Sequence, residues 1–195
     1  MYKLYGSTTS PYVRRLRIWL ANIEHEFVNM QIYEKAGREI LITKNPAMKV
    51  PALEHIQDGK SLFIYDSRVI FRYLSEQHGF PALSWPQENQ LTLIDAVNDS
   101  LVQMFQLSQS DVVADTDKLF FKLQKERVNN VLAELDGQVQ DGEFANWNYP
   151  AICLFSLIDW VEFRSLHNLK GLNALLEFHQ ENAQRIEVTA TDPRM

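Results

Sequence analysis

The sequence is short of several things, and each shortage removes a class of function. It has one cysteine, Cys153, so an internal disulfide framework is excluded and a reducing compartment fits. It has no apolar run of membrane-spanning length, so no membrane role is expected. The start, MYKLYGSTTS, lacks the basic-then-apolar layout of a signal peptide, and the chain reads as cytoplasmic. Its five histidines (His25, His55, His78, His167 and His179) show no metal-ligand spacing, so no metal is expected. Positive charge is outweighed, 19 Lys/Arg against 25 Asp/Glu, which argues against generic nucleic-acid binding. There is no internal repeat and no low-complexity segment.

What is present is a chain of 195 residues, enough for one large domain or two small ones. Charge divides unevenly along it. Residues 1–78 carry 11 Lys/Arg against 8 Asp/Glu, and residues 79–195 carry 8 against 17. An anion site is therefore expected in the first part.

The first part alternates short strand and helix patterns. YKLY (2–5) suits a strand. Val13, Leu16, Trp19, Leu20 and Ile23 share a helical face after Pro11. EFVNMQI (26–32) alternates with period two, and a weak helix follows over 36–43. ALEHI and SLFI flank QDGK, whose Asp58-Gly59 is a hairpin turn signal. DSRVIFRYLSEQHG opens with helix-capping residues, groups Val69, Ile70, Tyr73 and Leu74, and ends at Gly79. The order is β-α-β-α-β-β-α. GFPALSWPQE, with two prolines, reads as a linker, and everything after it reads as helical. Leu91, Ile94, Asn98, Leu101 and Phe105 mark one stripe; Phe120, Leu123, Val128, Val131, Leu132 and Leu135 mark another. AICLFSLIDWVEF (151–163) is apolar nearly all round, as in a helix buried inside a bundle.

Three segments carry a more specific signal: SPYVRRLRI, NPAMKVPAL and DSRVIFRYL, in that order within residues 1–75. Together they resemble the glutathione transferase superfamily. The resemblance implies a thioredoxin-like glutathione-binding domain over residues 1–78, a linker over 79–87, and an all-helical domain over 88–195. It extends less distinctively to LIDWVEFR (157–164). There the family usually has a Ser/Thr-x-x-Asp capping box, where this chain has Asn148-Tyr149-Pro150-Ala151; Asn148 can still cap.

The resemblance implies a site. Val50-Pro51 would form a cis peptide whose Val50 backbone pairs with the cysteinyl part of glutathione, with Lys49 beside it for a ligand carboxylate. Asp66-Ser67 would hold the γ-glutamyl end, Ser67 at its carboxylate and Asp66 at its ammonium. Capping and anion binding at a helix start use the same N–H groups, so the two roles are compatible. Lys35 or Arg38 would meet the glycyl carboxylate.

Ser10-Pro11 is fully explained as a helix cap followed by proline at the first helical position. SPYV also resembles the Cys-Pro-Tyr-Cys of glutaredoxins, with both sulfurs replaced, so disulfide exchange by the protein is disfavoured. A hydroxyl at Ser10 instead suits donation to the sulfur of bound glutathione, in the manner of serine-type transferases. Ser7, Thr8 and Thr9 are competing hydroxyls in the same loop. Tyr5 sits about one residue early for the tyrosine used by other classes. Cys153 and Asp159, both in the most apolar helix, are expected to pack and to satisfy backbone donors respectively.

The resemblance thus implies an enzyme, a glutathione transferase that conjugates glutathione, as cosubstrate, to a small electrophile lodged between the two domains, in a homodimer serving detoxification. The rival readings are a non-catalytic regulator or interaction protein of the same fold, such as a stringent-starvation-type protein, and a glutathione-dependent peroxidase or dehalogenase using the same site.

Overall fold

Strand β1 (Tyr2–Gly6) organises the first half of the chain. In the computed structural model, which describes residues 1–115 and 117–195, it pairs parallel with β2 (His25–Asn29). On its other side it pairs antiparallel with β3 (Ala52–Gln57), and β3 turns back into β4 (Lys60–Tyr65). The sheet order is β2-β1-β3-β4. A parallel pair needs a crossover, which α1 (Pro11–Trp19) and a short turn over Leu20–Asn22 supply. The hairpin turn Asp58-Gly59 has φ of 51° and 73°, the left-handed pair whose twist matches a tight hairpin. Helix α2 (Lys35–Lys44) joins β2 to β3, and α3 (Ser67–Gln77) follows β4. Pairing of β2 stops at Asn29, short of the expected residue 32, because its parallel partner ends at Gly6.

Side chains alternate across the sheet, and the register decides which face each one joins. Leu4 and Leu53 lie opposite each other, as do Leu53 and Ile64. This face carries α1 and α3, with Val13, Leu16, Ile70 and Leu74 all buried. Gly6 is required here, because a Cβ would come within 2.5 Å of a Val13 methyl carbon. In α3 the expected grouping shifts: Val69 is half exposed and Phe71 is buried against Trp19, ring centroids 5.0 Å apart. The opposite face holds a smaller cluster of Tyr5, Met30, Leu41 and Ala52, edged by Val28, Ile32, Val50 and Phe63.

The chain divides into two compact units, Met1–Leu83 with Arg185–Met195, and Ser84–Gln184. The second contains α4 (Trp85–Ser108), α5 (Leu119–Gln140), α6 (Tyr149–Arg164) and α7 (Asn173–Asn182). Helix α4 starts inside the expected linker because Ser84 and Gln87 form a reciprocal capping box. The inward stripe of α5 is Phe121, Gln124, Val128, Leu132 and Leu135; Phe120 and Leu123, expected inside, are exposed. Gln124 tolerates burial because its amide oxygen accepts from Arg127, which also donates to Ser100 of α4. Every residue of α6 from Tyr149 to Val161 is buried, and Asn148 caps it by accepting from Ala151 N at 3.1 Å. Asp159 pairs with His179 of α7 at 3.0 Å, so its side chain joins two helices. The last short helix, α8 (Ile186–Thr189), packs on α1, with Arg14 donating to the Val188 carbonyl. The terminal residues expected in the helical domain therefore group with the sheet. Among the described residues, no helix is long and apolar enough to cross a membrane.

Candidate functional site

The row Tyr5–Ala52–Tyr65 crosses the three strands β1, β3 and β4. Just beyond it the chain leaves each strand: the loop to Ser10 follows β1, Val50-Pro51 precedes β3, and Asp66-Ser67 follows β4. Three segments distant in sequence thus meet at one end of the sheet. Two helix N-termini, those of α1 and α3, begin there. Exposed N–H groups and aligned peptide dipoles make such an end favourable to negative charge.

Ser10 is the N-cap of α1, with extended backbone, and Pro11 follows as the first helical residue. Its Oγ accepts from Val13 N at 3.4 Å. The hydroxyl proton donates to no group among the described residues. Ser7 and Thr9 share a hydrogen bond at 3.1 Å, and Thr8 N donates to Asn29. Capping therefore leaves the donor capacity of Ser10 intact.

The Val50-Pro51 peptide bond is cis. Pro51 is buried, Lys49 is exposed, and the Lys49 carbonyl accepts from Asn45 Nδ2 at 2.8 Å. Asp66 caps α3 from a left-handed φ of 70°, its Oδ1 accepting from Arg68 N at 2.8 Å and from Val69 N at 3.4 Å. Ser67 is buried, and Arg15 of α1, itself only 1% exposed, donates to its hydroxyl. The contact puts a guanidinium beside the start of α3, so two sources of positive potential coincide. Sequence reading missed Arg15. The signal was an arginine sitting between Val13 and Leu16 on a buried helix.

Lys35 and Arg38 are exposed on α2 and line a cavity of about 420 Å³ with Tyr33, Glu39, Ile42 and Met48. Lys35 lies 3.9 Å from Glu39. Among the described residues, no hydrogen bond or ion pair joins these two cations to Ser10 or Asp66.

Tyr5 is occupied elsewhere. Its hydroxyl donates to Glu54 Oε2 at 2.6 Å, on the α2 face of the sheet. Burial, reinforced by this bond, pushes the phenol well above its ordinary range. Glu54 also accepts from Ser61 at 2.6 Å and lies 3.6 Å from Lys44 Nζ, which sits over the Tyr5 and Phe63 rings. Burial alone pushes the Glu54 carboxyl up. Hydrogen bonds from Ser61 and Tyr5, with the Lys44 ammonium, outweigh that and hold it below its usual value. Glu54 also escaped the sequence reading; a carboxylate inside the buried strand ALEHI was its only trace. Among the described residues, no group of three or more His, Cys, Asp or Glu is placed to hold a metal ion.

Comparison with known proteins agrees with this fold. A family model described as the glutathione S-transferase N-terminal domain matches residues 4–84. The uncharacterized GST-like protein YibF of Escherichia coli (strain K12) is 30% identical over 172 residues, 83% of each chain. A glutathione S-transferase of Methylobacillus flagellatus KT, solved with glutathione bound, superposes with a TM-score of 0.83 at 24% identity, over 99% of this chain and 100% of that one. A glutathione transferase family member from Pseudomonas fluorescens Pf-5, also with bound glutathione, gives 0.78 at 22% identity, over 99% of each chain. A thioredoxin-like unit followed by a helical bundle, with these sequence relatives, places the chain in the glutathione S-transferase superfamily.

Proposed function

We propose that the protein is a serine-type glutathione transferase. The observation that carries this reading is the meeting of Ser10, Val50-Pro51 and Asp66-Ser67 at one end of the sheet, beside two helix N-termini. Glutathione would lie across these segments. Its γ-glutamyl carboxylate would be received at Ser67, where the start of α3 and Arg15 favour negative charge, and its ammonium would face Asp66. The cysteinyl backbone would pair with Val50. The glycyl carboxylate would turn towards Lys49 or towards Lys35 and Arg38.

The sulfur then falls to Ser10. Its hydroxyl caps α1 with a lone pair and keeps its proton for donation, which favours the thiolate over the thiol; the α1 dipole acts in the same direction. The released thiol proton goes to solvent. The thiolate attacks a small electrophile, forming a carbon–sulfur bond as the leaving group departs or the electrophile's π bond shifts. The protein contributes no nucleophile; catalysis is positioning plus thiolate stabilisation. A cytoplasmic homodimer with a role in detoxification completes the proposal.

Binding is tested first, by retention on immobilised glutathione and by a rise in unfolding temperature with glutathione. A chain that does neither is not a transferase. Ser10→Ala then separates cap from catalyst. The expected outcome is a rise in the pKa of bound glutathione and a conjugation rate lower by about 10²-fold. An unchanged pKa and rate would reduce Ser10 to a cap. Binding without any conjugation would point to the non-catalytic members of the fold.

A further inference from the structure

Of the three helices that cover the sheet, α2 is the most lightly held. Only Leu41 of its ten residues is buried, against six residues in α1 and five in α3. Its inward contacts fall at Gly37, Leu41 and Lys44, a spacing of four and three that keeps them on one helical face. Each contact is of a different kind. At Gly37 the helix touches backbone: a Cβ there would stand 2.2 Å from the Gln31 carbonyl oxygen. Leu41 enters the small cluster with Tyr5, Met30 and Ala52. Lys44 reaches the carboxylate of Glu54.

The third contact is out of proportion to the needs of strand packing. Glu54 is only 7% exposed, and its two oxygens already accept from Ser61 and Tyr5. An apolar side chain would fill this position at lower desolvation cost. An apolar side chain would not choose where an ammonium sits. The carboxylate, held from β1 and β4, presents Lys44 with one fixed place to dock, between Glu54 and the rings of Tyr5 and Phe63.

The residues just after Lys44 give that docking a consequence. Asn45 is 2% exposed; its Oδ1 accepts from Ala47 N at 3.0 Å and its Nδ2 donates to the Lys49 carbonyl at 2.8 Å. The loop from α2 to Val50 is thereby braced from its first residue. At the other end of the same helix stand Lys35 and Arg38, over the cavity they share with Met48 of that loop.

We propose that Glu54 is a positioning residue: through Lys44 it sets the stance of α2 and of the 45–50 loop, and so controls capture of the cysteinyl and glycyl parts of glutathione. The second half of this statement rests on the glutathione reading above; the first half does not. Glu54 acts on binding indirectly, through a helix that little else holds.

The test uses the full chain and Lys44→Met, which removes the docked charge from a partly exposed position without emptying the core, with Lys44→Arg as the conservative variant and Glu54→Gln as the reciprocal one. Hydrogen exchange read by mass spectrometry should speed up about tenfold in residues 38–50 of Lys44→Met, with α1, α3 and β1 unchanged. Glutathione affinity by calorimetry should fall about tenfold, KM for glutathione should rise in step, and kcat should stay within about twofold. Lys44→Arg should restore both readouts. Exchange in residues 38–50 unchanged in both Lys44→Met and Glu54→Gln overturns the proposal. So does exchange raised evenly over β1, β3 and α2, which is what a merely structural carboxylate would give. If the unaltered chain binds no glutathione, the transferase reading fails, and the exchange data still decide whether Glu54 anchors α2.

Discussion

One face of the four-stranded sheet is dry and the other is mixed. Beneath α1 and α3 lie Leu4, Leu53 and Ile64, none more than 8% exposed, meeting Val13, Leu16, Ile70 and Leu74. Beneath α2 the same sheet presents Tyr5 and Ala52, then Glu54, then the Lys3–Glu26 ion pair at 2.8 Å. Alternation along each strand makes the two faces inseparable in sequence, since neighbouring residues serve opposite layers. The difference separates two tasks. The first face holds the fold together through area removed from water, which has no preferred direction. The second holds a single helix through a few directional contacts, and that helix leads into the loop before Val50.

The sharpest way to break this comparison is to remove the same side chain from each face. Leu53→Ala should cost about 3–4 kcal/mol, because α1, α3 and the neighbouring strands cannot collapse into the space. Leu41→Ala should cost about 1–2 kcal/mol, because α2 is free to settle. Urea unfolding of both variants decides; equal losses would mean that α2 is as firmly built in as α1 and α3.

Asp66→Ala comes next in size. It removes the cap of α3 and puts alanine at a φ of 70°, so about 2 kcal/mol of stability should go. Asp66→Asn, which keeps a capping side-chain oxygen, should recover most of it. If asparagine does no better than alanine in the same unfolding experiment, the cap does not explain the loss.

Acid should weaken the mixed face selectively. The Glu54 carboxyl is held below its ordinary value, so its ionised form contributes stability that is fully present above the unfolded value of about 4 and is lost as pH falls through the folded value. Lys44 and Tyr5 face it directly; Lys3 and Glu26 lie on the same face. The stability gap between wild type and Glu54→Gln should therefore be widest near neutral pH and close below about pH 4. A gap that stays constant from pH 7 to pH 3 would show that the charge of Glu54 contributes nothing.

The smallest effect belongs to the outer surface of α2. Lys35 and its partner Glu39 are both exposed, so Lys35→Ala should leave the unfolding temperature within about 1 °C. Glutathione affinity should drop about threefold to tenfold if Lys35 meets the glycyl carboxylate. An unchanged affinity assigns that role to Arg38 or Lys49.

Much of the fold was legible because its signals are local. Ser10-Pro11, Asp58-Gly59 and Asp66-Ser67 each use a residue type whose backbone preference or hydrogen-bonding reach ends or starts an element by itself. The prolines around residues 81–86 extend the apparent linker past the true helix start, although the Ser84–Gln87 capping box that sets this start is itself local. Periodicity in α5 favours Leu123 over its neighbour Gln124 as the inward residue. Only the packed structure shows Arg127 satisfying the buried amide.

The candidate site divides in the same way. Turn chemistry marked Ser10, Val50-Pro51 and Asp66-Ser67 in sequence only as caps and a proline turn; their naming as site residues came from the resemblance to the glutathione transferase superfamily. That they stand together depends on strand register, since β1, β3 and β4 must align at Tyr5, Ala52 and Tyr65 before the three segments meet. Arg15 and Glu54 became visible only with the fold. Each takes its meaning from a partner far along the chain, Ser67 in one case and Tyr5 and Lys44 in the other. Local chemistry, written in a few consecutive residues, determined where α1, α3, α4, α6 and the Asp58-Gly59 turn begin. Which buried charge faces which helix was decided by tertiary pairing, because a salt bridge or a hydrogen bond between distant residues leaves no periodic trace in the sequence.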